Sequence, residues 1–120
     1  LSGGSYSTVM NGNFTKQSAS SKIVVFVTYA QFGEANGSGT VQFNLGTSSD
    51  LGSTSYGNSS GHSKQVSNQF YISNNTQTGS LAWTFRIKDF GGQIFCPSST
   101  DDSRIDSGAG TGMLTIIEYA

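Results

Sequence analysis

The sequence predicts an all-β fold, an antiparallel β-sandwich or jelly roll of about eight short strands, on three observations. Helical periodicity is nowhere sustained. Period-2 alternation recurs: Leu81, Trp83, Phe85 and Ile87 alternate with Ala82, Thr84, Arg86 and Lys88, and Val41, Phe43 and Leu45 alternate with Thr40, Gln42 and Asn44. The composition, 12% aromatic and 11% charged with 16 glycines, suits strands of β-branched and aromatic residues joined by Gly, Ser and Asn turns.

Each element has its own signal. Tyr6–Lys16 reads as a first strand, bounded by small polar residues. Lys22–Phe32 is apolar through Ile23, Val24, Val25, Phe26 and Val27, the pattern of a strand covered on both faces, which places it centrally or at a subunit interface. Thr40–Leu45 is half-buried by its alternation. The segment Gly46–Ser63, GTSSDLGSTSYGNSSGHS, has too little apolar surface to join a core and reads as a long surface loop. Gln65–Ser73, Leu81–Lys88, Gln93–Cys96 and Ser103–Ile105 follow as strands. Met113–Tyr119 closes the sequence as an apolar strand, which needs a sheet partner or another subunit to cover it.

At 120 residues the chain has the size of one domain, 1–120, with a single core. Beginning at Leu1 rather than Met, it is expected to be the C-terminal fragment of a longer protein. A net charge of −1 gives no basic footprint for nucleic acid. Cys96 is alone and cannot pair within the chain. No apolar run approaches the roughly 20 residues of a membrane span, so no membrane insertion is expected.

Chemistry is sparse. His62 is the one histidine, and a triad would require Asp50, Asp89 or Glu118 to be brought to it by folding, so the expectation is a domain that is not an enzyme. No cofactor is called for. Asp101, Asp102 and Asp106 lack the spacing of an EF-hand loop and read as solvated turn carboxylates near Arg104. Four Asn-x-Ser/Thr sequons, at Asn13, Asn36, Asn58 and Asn74, follow from composition and carry weight only in a secreted eukaryotic protein. Tyr56, an aromatic among small polar residues, is suited to recognition or to packing its own loop down. Trp83 alternates with Leu81 and Phe85 and belongs to the core. Glu118, in an apolar strand, needs a structural partner such as Arg86, Lys22 or a serine hydroxyl.

The segment NFTKQSASSKIVVF, Asn13–Phe26, resembles the opening of C-terminal head domains of phage tail fibres and related prophage proteins, and LTIIEYA resembles their ending. The intervening LAWTFRIKDF is compatible with their central strand. The resemblance implies a jelly-roll head, similar in outline to the tumour necrosis factor and complement globular-head superfamily, assembled as a homotrimer at the tip of an extracellular virion fibre. It implies attachment to a host cell-surface glycan or protein. A trimer would also cover the apolar strands without a disulfide. Val25, Val27, Leu114, Ile116 and Glu118 are the expected trimer contacts, and Asp50, Tyr56, Asn58, His62 and Lys64, in or beside the long loop, the expected receptor contacts. Eight strands of alternating direction would bring both chain ends to one pole and set Gln17–Ser21, Gly46–Ser63, Asp89–Gly92 and Ser107–Thr111 at the other. Alternatives are a fibre-registering trimerisation module without a ligand, a secreted complement-like or necrosis-factor-like ligand, and a carbohydrate-binding module attached to a hydrolase.

Overall fold

The computed structural model describes residues 5–33, 37–56, 62–89, 94–95 and 112–120. These form eight strands and no helix: β1 (Tyr6–Lys16), β2 (Lys22–Gly33), β3 (Gly37–Leu45), β4 (Ser48–Tyr56), β5 (His62–Ile72), β6 (Gly79–Asp89), β7 (Ile94–Phe95) and β8 (Met113–Tyr119). One antiparallel sheet has the order β1-β6-β3-β4. In the other, β5 pairs along one edge of β2, so β7 and β8 share the opposite edge, β7 at Phe32–Gly33 and β8 at Lys22–Thr28. Pairing is nested, first strand with sixth, second with fifth and third with fourth.

The two sheets face each other as a β-sandwich because the alternation points the same way in both. Ile23, Val25, Val27 and Tyr29 of β2, Phe70 and Ile72 of β5, Val41, Phe43 and Leu45 of β3, and Leu81, Phe85 and Ile87 of β6 are all buried. Four ring pairs hold the centre: Tyr29 with Phe85 at 5.2 Å, Phe43 with Phe70 at 5.9 Å, Phe70 with Phe85 at 6.0 Å and Phe43 with Trp83 at 6.1 Å. The first three join one sheet to the other, within the range at which tilted and offset rings attract. The Tyr29 hydroxyl, inside this cluster, donates to Asn68 Oδ1 at 3.2 Å. Trp83 packs against the core as expected, and its ring lies over Gly12, where a Cβ would come within 2.9 Å.

Two expectations need correction. The segment Gly46–Ser63 is not one long loop: Leu45 and Ser48 pair across Gly46-Thr47, and β4 runs beside β3 as far as Tyr56 opposite Gly37. Gly46 has φ +56°, which a side chain rarely adopts and a two-residue hairpin with glycine first requires. The described inward positions of β4 are Ser48, Asp50 and Gly52, opposite Leu45, Phe43 and Val41, so no apolar alternation betrays this part of the strand. His62, expected in the same loop, is the first residue of β5, opposite Gly33.

The start of β1 and the end of β8 do not share a pole. Lys16, Leu45, Ile72 and Tyr119 all end their strands at the pole of the β1–β2 turn, whereas β1 begins at the opposite pole with Tyr6 beside Lys88. Alternation breaks because β7 and β8 are both antiparallel to β2 and therefore run the same way. Gln17–Ser21 and Gly46-Thr47 thus lie at one pole, and Asp89, opposite Gly39, lies at the other. The expected strand Ser103–Ile105, the segment Ser107–Thr111, Cys96 and the acidic group Asp101, Asp102 and Asp106 fall outside the described residues.

Candidate functional site

The outer face of the β5-β2-β8 sheet carries an apolar patch among polar neighbours such as Thr28, Ser67 and Gln69. Strand alternation turns Val24 and Phe26 of β2 outward, and register sets Tyr71 and Ile117 on either side of Val24, Thr115 beside Phe26, Met113 beside Thr28 and Tyr119 beside Lys22. Phe26 is 43% exposed, Ile117 44%, Tyr71 46% and Met113 67%. A sandwich ordinarily turns polar residues outward, and contiguous apolar surface of this kind marks interaction sites. Burial raises the pKa of the Tyr119 hydroxyl, helped by its hydrogen bond with Tyr71 and by the nearby Tyr71 hydroxyl itself.

The expected trimer contacts fall on the inward side of the same strands. Val25 and Val27 are enclosed by the chain's own core, and Leu114 and Ile116 pack against it half-buried. None of these four side chains is on the outward face, so surface contacts of this sheet fall to the alternate residues. β2 is central in its sheet as expected, but the described residues cover only one of its faces.

Glu118 has its structural partner. Its carboxylate accepts hydrogen bonds from the Gln17 amide at 2.9 Å, the Ser18 amide at 3.1 Å and the Ser21 hydroxyl, the serine option among those expected. The Ser21 bond, then the Gln17 and Ser18 amides and the nearby Lys16 ammonium, together lower its pKa against the opposing effect of desolvation. Lys16 is buried and donates to the Ser18 carbonyl. This arrangement fastens β8 to the β1–β2 turn and lines a cleft of about 450 Å³ with Gln17, Ser18, Ser20, Ser21, Glu118 and Tyr119.

Of the expected receptor contacts, Asp50 stands apart from the others along the strands. Asp50 lies near the start of β4, where it accepts from its neighbour's amide at Leu51 (2.9 Å) and, through Oδ2, from the Tyr71 amide (2.8 Å). It therefore closes the β4–β5 flank of the sandwich, a role its position in a supposed loop concealed. Tyr56 ends β4, six residues or about 20 Å along the strand from Asp50. His62 and Lys64 lie at the start of β5, opposite Gly33 and Gln31, while Asn58 falls outside the described residues.

Sequence reasoning also missed Asn75. Buried beside the β3–β4 turn, its Nδ2 donates to the Leu45 carbonyl at 3.1 Å and to Ser48 Oγ at 3.0 Å, while its Oδ1 accepts from the Gln77 amide at 2.9 Å. An Asn in a polar connection carries no sequence signal that separates this knot from an ordinary turn. Among the described residues no group of His, Cys, Asp and Glu is placed to hold a metal ion.

No protein-family model, curated protein or solved structure matches this chain.

Proposed function

We propose that the domain is a non-enzymatic, homotrimeric receptor-binding head of a phage fibre, acting extracellularly at the fibre tip on a host cell-surface glycan or protein. The observation that carries this reading is the apolar patch on the outer face of β5-β2-β8, centred on Phe26, Tyr71 and Ile117. Exposed apolar side chains on three adjacent strands favour association, and closed symmetric homo-oligomers are the common outcome for a single chain. The nested pairing β1·β6, β2·β5 and β3·β4 supports a jelly roll, since rolling up one long hairpin produces those partners.

Sedimentation at micromolar concentration tests the assembly, with a trimer expected and a monomer refuting it. Binding of the intact trimer to a panel of bacterial cells and to a glycan array tests the receptor role. A trimer that binds neither is a registering module, and the receptor reading then fails. Several copies on one particle turn modest affinity per site into firm attachment through effective concentration.

A further inference from the structure

The other outer face of the sandwich, on β1-β6-β3-β4, has a different chemistry. Register sets Asn11, Thr84, Asn44 and Ser49 in one row across the sheet and Thr8, Arg86, Gln42 and Leu51 in the next. Asn44 Nδ2 donates to Thr84 Oγ1 at 2.9 Å and to Gln42 Oε1 at 3.3 Å. These bonds engage the Asn44 NH₂ and Gln42 Oε1, so Asn44 Oδ1 is left as an acceptor and the Gln42 NH₂ as a donor. Among the described side chains of this face there is no carboxylate.

Arg86 stands in the middle of this array. Its guanidinium lies 5.2 Å from the Tyr6 ring centroid and donates from one Nη to the Tyr6 carbonyl at 3.4 Å. Its Nε is buried and has no hydrogen-bond partner. A guanidinium offers five donors in a planar fork that matches a carboxylate, and here one is engaged, with the group lying over the Tyr6 ring. An anion reaches this guanidinium from outside through its Nη donors, since Nε is enclosed by the chain itself.

We propose that this face binds an acidic saccharide, with Arg86 taking the carboxylate and Gln42, Asn44 and Thr84 the adjacent hydroxyls. Alternating donors and acceptors suit a polyhydroxylated ligand, each of whose OH groups both donates and accepts. The carboxylate supplies the charge-assisted bond that orients it. The site rests on the reading of the domain as a binding head, and is independent of its oligomeric state.

The test uses two probes, an oligogalacturonate and a sialylated oligosaccharide, each paired with its methyl ester, titrated calorimetrically into the intact protein. The acid form of at least one is expected to bind at least about tenfold more tightly than its ester, the scale of one charge-assisted hydrogen bond. Arg86→Gln should abolish that difference, and Arg86→Lys, which keeps charge but loses the fork, should reduce it. Asn44→Asp leaves Arg86 in place, so loss of the Asn44 contact should weaken both forms, and the added negative charge should weaken the acid form more than the ester. Acetate should not compete at concentrations equal to the oligosaccharide. Equal affinity for acid and ester, no binding of either acid, or binding unchanged in Arg86→Gln and Asn44→Asp would overturn the proposal. Cell binding that survives in Arg86→Gln would overturn it while leaving the receptor-binding head intact.

Discussion

Phe26→Ser combined with Ile117→Ser should dissolve the assembly while leaving a folded monomer. The two residues keep 43% and 44% of their surface exposed in the single chain. Full burial of such a side chain stabilises by about 1.5–3 kcal/mol, so covering the remainder is worth about 1 kcal/mol for each. Two residues in three copies make about 6 kcal/mol per trimer, or roughly 10⁴-fold in the association constant. Because three monomers combine, the concentration for half-assembly should rise by about the square root, a hundredfold. Sedimentation equilibrium over a concentration series reads this directly. The fraction of each side chain already covered within the monomer is lost as well, about 1 kcal/mol each, so circular dichroism must show that the variant remains folded. Two controls sharpen the outcome. Leu51→Ser, 59% exposed on the opposite sheet, should leave association unchanged. Val25→Ala, fully buried, should lower stability by about 2 kcal/mol yet still assemble. Wild-type association by the folded double variant, or dissociation caused by Leu51→Ser, would refute the assignment of this face.

Gly79→Ala meets no atom within 4 Å but must hold φ +86°, so denaturant titration should show a loss of about 1–2 kcal/mol from backbone strain alone. Gly46→Ala has φ +56° and also places a Cβ 2.0 Å from Gln77 Oε1, the acceptor for the Thr47 amide, so its loss should be larger, about 2–4 kcal/mol. Asn75→Ala leaves the Gln77 amide and the Leu45 carbonyl without their partner and should cost about 3 kcal/mol by the same measurement. The lowered pKa of Glu118 means that its stabilisation is complete above the ordinary glutamate value of about 4.3 and is lost as pH falls from there through the lowered one. Melting temperature followed down that window should fall less steeply in Glu118→Gln than in the parent, and parallel curves would show that the clasp does not contribute.

The strands that sequence alone made legible were those whose inward residues are apolar. Val41, Phe43 and Leu45, and Leu81 through Ile87, announced their faces because a two-sheet core demands period-2 burial. β4 stayed hidden because its described inward residues are Ser48, Asp50 and Gly52: Gly52 makes room for Val41, 3.1 Å from where a Cβ would stand, and Asp50 ties the strand to β5. Its ladder to β3 is backbone to backbone, which leaves no side-chain pattern to read. The same parity explains the trimer residues. Uniform hydrophobicity from Ile23 to Val27 locates a strand but not its inner face, and only the register against β5 and β8 assigns Val25 and Val27 inward and Phe26 outward. The Asn44–Thr84 contact and the Arg86–Tyr6 pair each join residues at least 40 positions apart, beyond the reach of any local motif.

Exposed apolar strands invite indiscriminate aggregation as readily as defined assembly, and the two outcomes use different surfaces. Aggregation of β-proteins proceeds edge to edge, and native edges are blunted by bulges and inward-pointing charges. Among the described residues β1, β4, β5 and β8 each pair along one edge only; β4 and β5 are tied to each other by the bond from the Tyr71 amide to Asp50, and β1 and β8 carry such devices. β1 has a bulge at Val9 and points Lys16 inward, while β8 turns Glu118 inward to the β1–β2 turn. The face bearing Phe26, Tyr71 and Ile117 has no comparable protection. A chain that guards its edges and leaves a face open is built for face-to-face contact with a limited number of partners. Such contact through β5-β2-β8 leaves the Arg86 sheet, on the far side of the core, turned outward in every copy, so assembly would multiply that surface instead of consuming it.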